Sequence, residues 1–485
     1  MSATGQQVAR NALLRIGGYA IGAALHFVGI VLIGRYLGAE GFGYFAFILA
    51  FVGIFQLLAD MGVRNILIRN IAVHRETFTT HLGVARTLLW ILSLFSMGCI
   101  VLIANLLHLT DEVRHATYLA GLAVLFTFFG LGYSAVLRAF EEMEWDILGF
   151  VLHKIVLLML LWAVSGTSFG LRGVSTAMLL ANAGLWLYFW AVVSLRHGRA
   201  KINLDLSAAW RLLVEAFPLG IAEILRRFKQ HADKLLLAAL GTPMAVGLFS
   251  AAYKFLEAMT PFTVNLTLPL FPVFSKLARE SPSKLFDAFG QSLKFLYVMG
   301  TPVAVLLFVF AERVMVLFFG EGYREAATAL KVLSPAVLLL LPTSVYGYLF
   351  TAMGRQHLYT ACVAMSLLTN VLLDLVLIPV YGYVGAALGT LAGEAVLFSV
   401  GLMMLRQFTS NLAPLRLLWR PLLAGLTMGG VCWLMNEMLV AAVYVGVVSG
   451  LAAYTGLLLG LQTFSQRERA LLTDAFRIRL GSVPR

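Results

Sequence analysis

Fourteen apolar runs, most of about 20 residues or more, recur along this 485-residue chain. About 20 apolar residues is the length a helix needs to cross the hydrocarbon core of a bilayer. The runs lie near 11–34, 42–66, 82–106, 116–138, 147–164, 172–195, 210–240, 245–271, 291–311, 326–350, 358–378, 383–405, 421–438 and 441–463. They are about twice the length of a spanning strand and do not alternate apolar with polar residues, which excludes a β-barrel. The connections are too short for a soluble domain, so a globular enzyme on a membrane anchor is excluded as well. The expected fold is an all-α integral membrane protein of about 14 transmembrane helices. Composition agrees: 60% of residues are hydrophobic and 12% charged, against about 25% charged in soluble domains.

The amino-terminal run follows Arg10 and Arg15 and continues past His26 to Gly34. That exceeds the roughly 7–15 residues of a signal-peptide core, so it reads as an uncleaved first span. The net charge of +12 would suggest nucleic acid in a soluble protein; in a chain of spans it reports topology, because Lys and Arg concentrate in cytoplasmic loops. Of the 36 Lys and Arg, 25 fall on the side of the amino terminus, Lys154 among them. Arg35, Arg114, Arg172, Arg313, Arg324 and Lys331 fall on the other. Both termini are therefore expected in the cytoplasm, with the chain multi-pass and no nucleic-acid partner. Cys99, Cys362 and Cys432 lie in apolar runs without metal-ligand spacing, which favours neither disulfides nor zinc.

Two internal echoes suggest duplication. Leu37-Gly38, Gly43, Phe45 and Ala46 correspond to Leu240-Gly241, Gly247, Phe249 and Ser250, and Gly170, Gly173 and Thr176 correspond to Gly382, Gly385 and Ala386. With six spans between them, the repeats run parallel about an axis normal to the membrane. The expected organisation is two pseudo-symmetric six-helix lobes, 1–200 and 201–409, then two further helices in 410–464 and a basic cytoplasmic tail, 465–485.

The segment Gly34-Arg35-Tyr36-Leu37-Gly38-Ala39-Glu40-Gly41-Phe42-Gly43-Tyr44, with Ala59-Asp60-Met61-Gly62-Val63 and Ile68-Arg69, resembles the opening of the polysaccharide flippases. These are oligosaccharide-lipid exporters of the multidrug/oligosaccharidyl-lipid/polysaccharide superfamily. Gly354-Arg355-Gln356, Asn370 to Asp374, Ile378-Pro379, Tyr381-Gly382, Gly385-Ala386-Ala387 and Thr390 agree with that pattern. The resemblance implies a two-lobed transporter, not an enzyme, that gives a central cavity alternating access to the two sides. It implies a cargo, an oligosaccharide on undecaprenyl pyrophosphate, flipped for O-antigen or exopolysaccharide synthesis. Membrane lipids, a polysaccharide polymerase and chain-length proteins are the implied partners.

Charge within a span costs at least about 2.5–3.5 kcal/mol per residue and normally faces a cavity or a partner. Five cations fall inside spans: Arg226, Arg227, Lys229, Lys234 and Lys254. Glu223, Arg227, Gln230 and Lys234 share one helical stripe with Arg226 to one side, and Lys254 and Glu257 lie about 15–20 Å deep in the next span. Arg15, Tyr19, Gly22 and His26 form a stripe on span one, and Asp60 and Arg64 have the i, i+4 spacing of an ion pair. These helices are expected to line a cationic cavity in which Arg226, Arg227, Lys254 and neighbours bind pyrophosphate, with pairing to Glu223 or Glu257 the structural alternative. Arg35 and Glu40 read as ordinary loop charges at the outer mouth.

No GxxxxGK[ST] loop occurs, so no cofactor is expected and the driving force must be a gradient. Asp233, Asp374 and Thr390 share a depth, and Asn370 adds a carbonyl one turn from Asp374, an oxygen set suited to a hard cation. The pattern also resembles the sodium site of the related lipid II flippases, which implies Na⁺ at Asp233, Asn370, Asp374 and Thr390, with the Ala386 carbonyl as a further ligand. A protonated carboxylate coupled to H⁺, or a buried polar network, fits the same residues, and Glu394 is a further midplane acid. The acidic run Glu141-Glu142-Met143-Glu144-Trp145-Asp146 reads as a cap on the following helix. A lipid II flippase and a cation-coupled multidrug exporter are the alternative functions; the basic stripe argues against the exporter.

Overall fold

A computed structural model describes residues 3–200, 203–409, 418–438 and 443–464. Among them all regular structure is helical, and the described part of each apolar run lies mostly on helix. Helix α1 (Ala3–Asp60) holds the first two runs, broken at Gly38, where φ of 67° is cheap only for glycine. After Met61 and Gly62, both at positive φ, comes α2 (Val63–Val73), with Val63, Ile66, Leu67 and Ile71 buried on one face. Asp60 and Arg64 therefore pair across a turn at 4.0 Å, not along one helix as their spacing suggested.

Next come α3 (Phe78–Leu106), α4 (Asp111–Ala139), α5 (Met143–Ser165), α6 (Gly170–His197), α7 (Leu206–Leu240) and α8 (Pro243–Thr267). Asp205 caps α7, its side chain accepting from the Ala208 amide at 2.9 Å. Short α9 (Leu270–Glu280) precedes α10 (Pro282–Val309), α11 (Ala311–Phe319), α12 (Ala326–Leu333) and α13 (Ala336–Ala352). The chain continues with α14 (Gln356–Tyr381), α15 (Tyr383–Leu405), α16 (Trp419–Met438) and α17 (Val443–Gly460). Among the described residues, eight helices are long and apolar enough to cross a bilayer by length and composition, nine if α12 and α13, bent by 45°, form one span. α7 and α8 fall outside that set, and they carry the charges within spans.

The chain divides into two compact units. One comprises residues 1–261, 315–326 and 370–389, the other 262–314, 327–369 and 390–485. In the first, Ile66, Leu88, Val136 and Phe189 join α2, α3, α4 and α6 in one buried cluster. In the second, Phe310, Met428, Cys432 and Tyr454 pack together, and Tyr454 donates to the Val298 carbonyl at 2.9 Å. Arg35, expected to be an ordinary loop charge, instead donates from Nε to the Phe318 carbonyl at 2.6 Å and also reaches that of Leu317. It thereby satisfies the exposed carbonyls in the last turn of α11, where a cation also meets the negative end of the helix dipole.

The tightest helix crossing in the first unit is reciprocal. A Cβ on Gly43 would fall on the Pro243 carbonyl and 3.0 Å from the Gly247 nitrogen; one on Gly247 would fall on the Ala39 carbonyl and 3.1 Å from the Gly43 nitrogen. The two glycines matched by the sequence repeat thus meet face to face, and any side chain there forces the backbones apart. Gly43→Val or Gly247→Val is expected to lower the melting temperature of the detergent-solubilised protein, through overpacking of at least about 1–3 kcal/mol. An unchanged melting curve contradicts the crossing.

The acidic run before α5 does not cap the helix. Glu142 occupies the cap position without a capping hydrogen bond; its carboxylate accepts from Arg196 Nε at 2.9 Å and lies 3.3 Å from His197. Glu141 pairs with Arg75 at 3.2 Å, and Asp146 with Arg138 at 2.9 Å. Bidentate and charge-assisted bonds outcompete the weaker backbone cap. Burial pushes the Glu142 carboxyl up, but the bonds from Arg196 and His197 outweigh it and hold the group below its usual 4.5. A depressed folded value gives stability that is present above the ordinary value and lost as pH falls through the folded one. Stability is therefore expected to decline below about pH 4.5, and Glu142→Gln to flatten that part of the pH profile, as thermal unfolding between pH 3 and 7 would reveal.

Candidate functional site

Helical spacing brings two polar stripes together against an apolar face of α1. On α7, Arg227, Gln230, His231 and Lys234 recur at i, i+3, i+4 and i+7, and on α8 Ser250, Tyr253, Lys254 and Glu257 repeat the pattern. With Phe42, Phe45, Ala46 and Ala50 of α1, residues 230, 231, 234, 250, 253, 254 and 257 line a cavity of about 360 Å³. Its floor is the Gly43–Gly247 crossing, one turn from Ala46 and Ser250.

The centre of the cavity is one carboxylate between two ammonium groups. Lys234 Nζ donates to Glu257 Oε1 at 2.8 Å and Lys254 Nζ to Oε2 at 2.5 Å. Lys234 also sits 4.9 Å from the centre of the Tyr253 ring, a cation–π contact that holds a desolvated ammonium. Arg227 Nη1 donates to Gln56 Oε1 at 2.8 Å. His231 lies against Gly53, where a Cβ would stand 2.9 Å from its Nε2.

The expected residues distribute as follows. Gln230, Lys234, Lys254 and Glu257 line the cavity; Arg227 stands one turn before Gln230 and binds Gln56. His26 is within electrostatic reach of Lys254 and Glu257. Arg64 stays with Asp60 at the α1–α2 turn, apart from the cavity lining. The side chains of Arg15, Tyr19, Glu223 and Arg226 lie outside the described residues.

Sequence reasoning missed Gln56, His231, Tyr253, His153 and Lys154. Lys154 was counted with the cytoplasmic charges, yet it lies about 16 Å into α5, within electrostatic reach of His26. Its neighbour His153 pairs with Asn182 at 2.7 Å. The available signal was the adjacent His153 and Lys154 inside an otherwise apolar run.

A second polar site lies near the first on α7. Asp233 and Asp374 are 3% and 0% exposed, and their carboxyl groups stand within hydrogen-bonding reach of one another. Both Asp374 oxygens and Asn370 Oδ1 are buried without a donor. A Cβ on Gly389 would fall on Asp374 Oδ1 and 3.4 Å from Asn370 Nδ2, so glycine opens the space these groups occupy. Ala386, one turn before Gly389, and Thr390 are both buried on α15. Among the described residues no cluster of three or more His, Cys, Asp or Glu is arranged for a metal ion.

Residues 8–278 match the family of polysaccharide biosynthesis proteins. The chain belongs to that family. It is 23% identical over 207 residues to the "Putative O-antigen transporter" of Escherichia coli (strain K12), a match covering 43% of this chain and 50% of the relative. The chain thus spans about half the length of that relative. The solved lipid II flippase MurJ, in an inward closed conformation, superposes with a TM-score of 0.75 at 16% identity, covering 93% of this chain and 98% of that one. An inward-facing multidrug resistance MATE family transporter of the MOP superfamily gives 0.64 at 16% identity, covering 82% and 100%. The chain thus shares the multi-helix fold of these membrane transporters.

A double-mutant cycle on Lys234 and Glu257 checks the central bridge. Glu257→Leu is expected to cost more than Lys234→Met, since it strands a lysine side chain only 6% exposed, whereas Lys254 still satisfies Glu257 when Lys234 is gone. The double variant should recover roughly 1–3 kcal/mol over additivity in thermal unfolding. Strict additivity would dissolve the bridge.

Proposed function

We propose that the protein flips an undecaprenyl-diphosphate-linked oligosaccharide across the bacterial inner membrane, by alternating access of the α1–α7–α8 cavity to the two sides. One observation carries this reading: a membrane-embedded cavity lined by Lys234, Lys254 and His231 with a single acid, Glu257. Ammonium groups in a low-dielectric cavity are point-charge partners for phosphate, and Arg227 one turn away adds a guanidinium fork. Apolar Phe42, Phe45 and Leu49 in the same lining suit the lipid side of such a headgroup. The name of the Escherichia coli relative supports a saccharide cargo. A drug exporter would instead draw its cationic cargo to acidic or aromatic walls, and this lining is cationic.

For the driving force we propose a cation held by Asp233, Asp374 and Asn370, with the Ala386 carbonyl on α15. A buried Asp374 carboxyl beside that of Asp233 is suited by a positive charge between them, and Na⁺ accepts such oxygen ligands. When bound, the ion would neutralise their repulsion. Asp233 stands next to Lys234 on α7, so ordering the ion site acts on the same helix turn that holds the cargo site.

Proteoliposomes carrying undecaprenyl-diphosphate-linked glycan provide the test. Wild type should translocate the lipid faster with an inward Na⁺ gradient, Lys254→Ala should lose translocation by about tenfold or more, and Asp374→Ala should lose the Na⁺ effect. Transport of a small organic cation in place of the lipid would turn the assignment to an exporter.

A further inference from the structure

We propose that Glu257 is a built-in counter-anion that the cargo's diphosphate displaces, so that loading the cavity exchanges one anion for another at Lys234 and Lys254. This inference rests on the diphosphate reading above and adds how the site binds and lets go.

The geometry is that of an occupied anion site. One carboxylate spends both oxygens on two lysines, at 2.8 and 2.5 Å. Exposure runs opposite to what a bare cationic site would show: the Glu257 side chain is 34% exposed, those of Lys254 and Lys234 15% and 6%. The acid therefore faces the cavity and shields the ammonium groups behind it, and an incoming anion meets Glu257 first. Glu257 is the single acid among the described lining residues, so no other group there performs this neutralisation.

Exchange also fits what each partner can do after Glu257 leaves. Lys234 keeps its seat over the Tyr253 ring, and Lys254 remains in the lining, so both ammonium groups stay in place for a phosphate oxygen. His26 stands within electrostatic reach of Glu257 and gives the displaced carboxylate a donor.

The physical benefit is release. Two uncompensated lysines in a low-dielectric cavity would be costly when empty and would hold a diphosphate too tightly to discharge it. An internal carboxylate compensates the empty site and competes for the lysines at every position of the cycle.

Binding of farnesyl diphosphate to the purified full-length protein in detergent tests the exchange, together with carbodiimide coupling of Glu257 to Lys254 and Lys234 in the wild type. Mass spectrometry reads the coupled peptides. We expect Glu257→Gln to bind farnesyl diphosphate roughly tenfold tighter and to flip lipid-linked glycan more slowly. We also expect the probe to protect wild type from coupling. Wild-type binding with equal or weaker binding by Glu257→Gln, or coupling that the probe leaves unchanged, overturns the exchange and leaves the diphosphate reading standing. Where Glu257→Gln does not fold, the wild-type coupling measurement decides alone. If wild type itself does not bind the probe, both readings fall.

Discussion

The crossing of α1 and α8 at Gly43 and Gly247 sets the geometry on which the cavity depends. Each glycine lies where the other helix's backbone passes, so the two helices approach to a distance no side chain permits. Close backbone approach through small residues is how helices associate when lipid is as apolar as leucine and supplies no hydrophobic drive. Placing the crossing one turn from Ala46 and Ser250 fixes which residues of α1 and α8 face each other further along. Those residues, with the polar stripe of α7, are the cavity wall.

Once the wall is set, the cost of charge in an apolar medium organises its chemistry. Lys234, nearly inaccessible, survives there because Glu257 and the Tyr253 ring both attend to it. The adjacent Asp233 instead has its carboxyl within hydrogen-bonding reach of Asp374. Consecutive residues on one helix thus belong to a basic site and an acidic site. That adjacency gives α7 a physical means of relating them, since a shift of one helix turn alters both.

Much of this was legible in the chain itself. The spans, the helical fold, the stripe of Gln230 and Lys234 and the depth of Lys254 and Glu257 follow from periodicity and from the rise per residue. The repeat pairing of Gly43 with Gly247 was legible as a correspondence, but not as a contact. Lys154 was misread because charge near a span end is normally a loop charge; only the helix boundary at Met143 shows how deep it sits. Gln56 carried no signal because a single amide in an apolar run has no periodic partner, whereas His231 stood beside the polar stripe at i+4 from Arg227. Glu142 was read as a cap, a local interaction, when Arg196 from a distant helix claims it. Arg35 was misread for the same reason.

By itself the sequence determined that this chain crosses a membrane many times as helices, and that its in-span charges must find partners or water. Those conclusions rest on local, periodic properties: length of apolar runs and 3.6-residue spacing. Only the tertiary structure decided which charge meets which. Lys234 and Lys254 both turn to Glu257, Arg227 to Gln56, and Asp233 to Asp374. Pairings of this kind depend on helix crossings of ångström precision, and residues far apart in the chain meet through packing that no local pattern encodes.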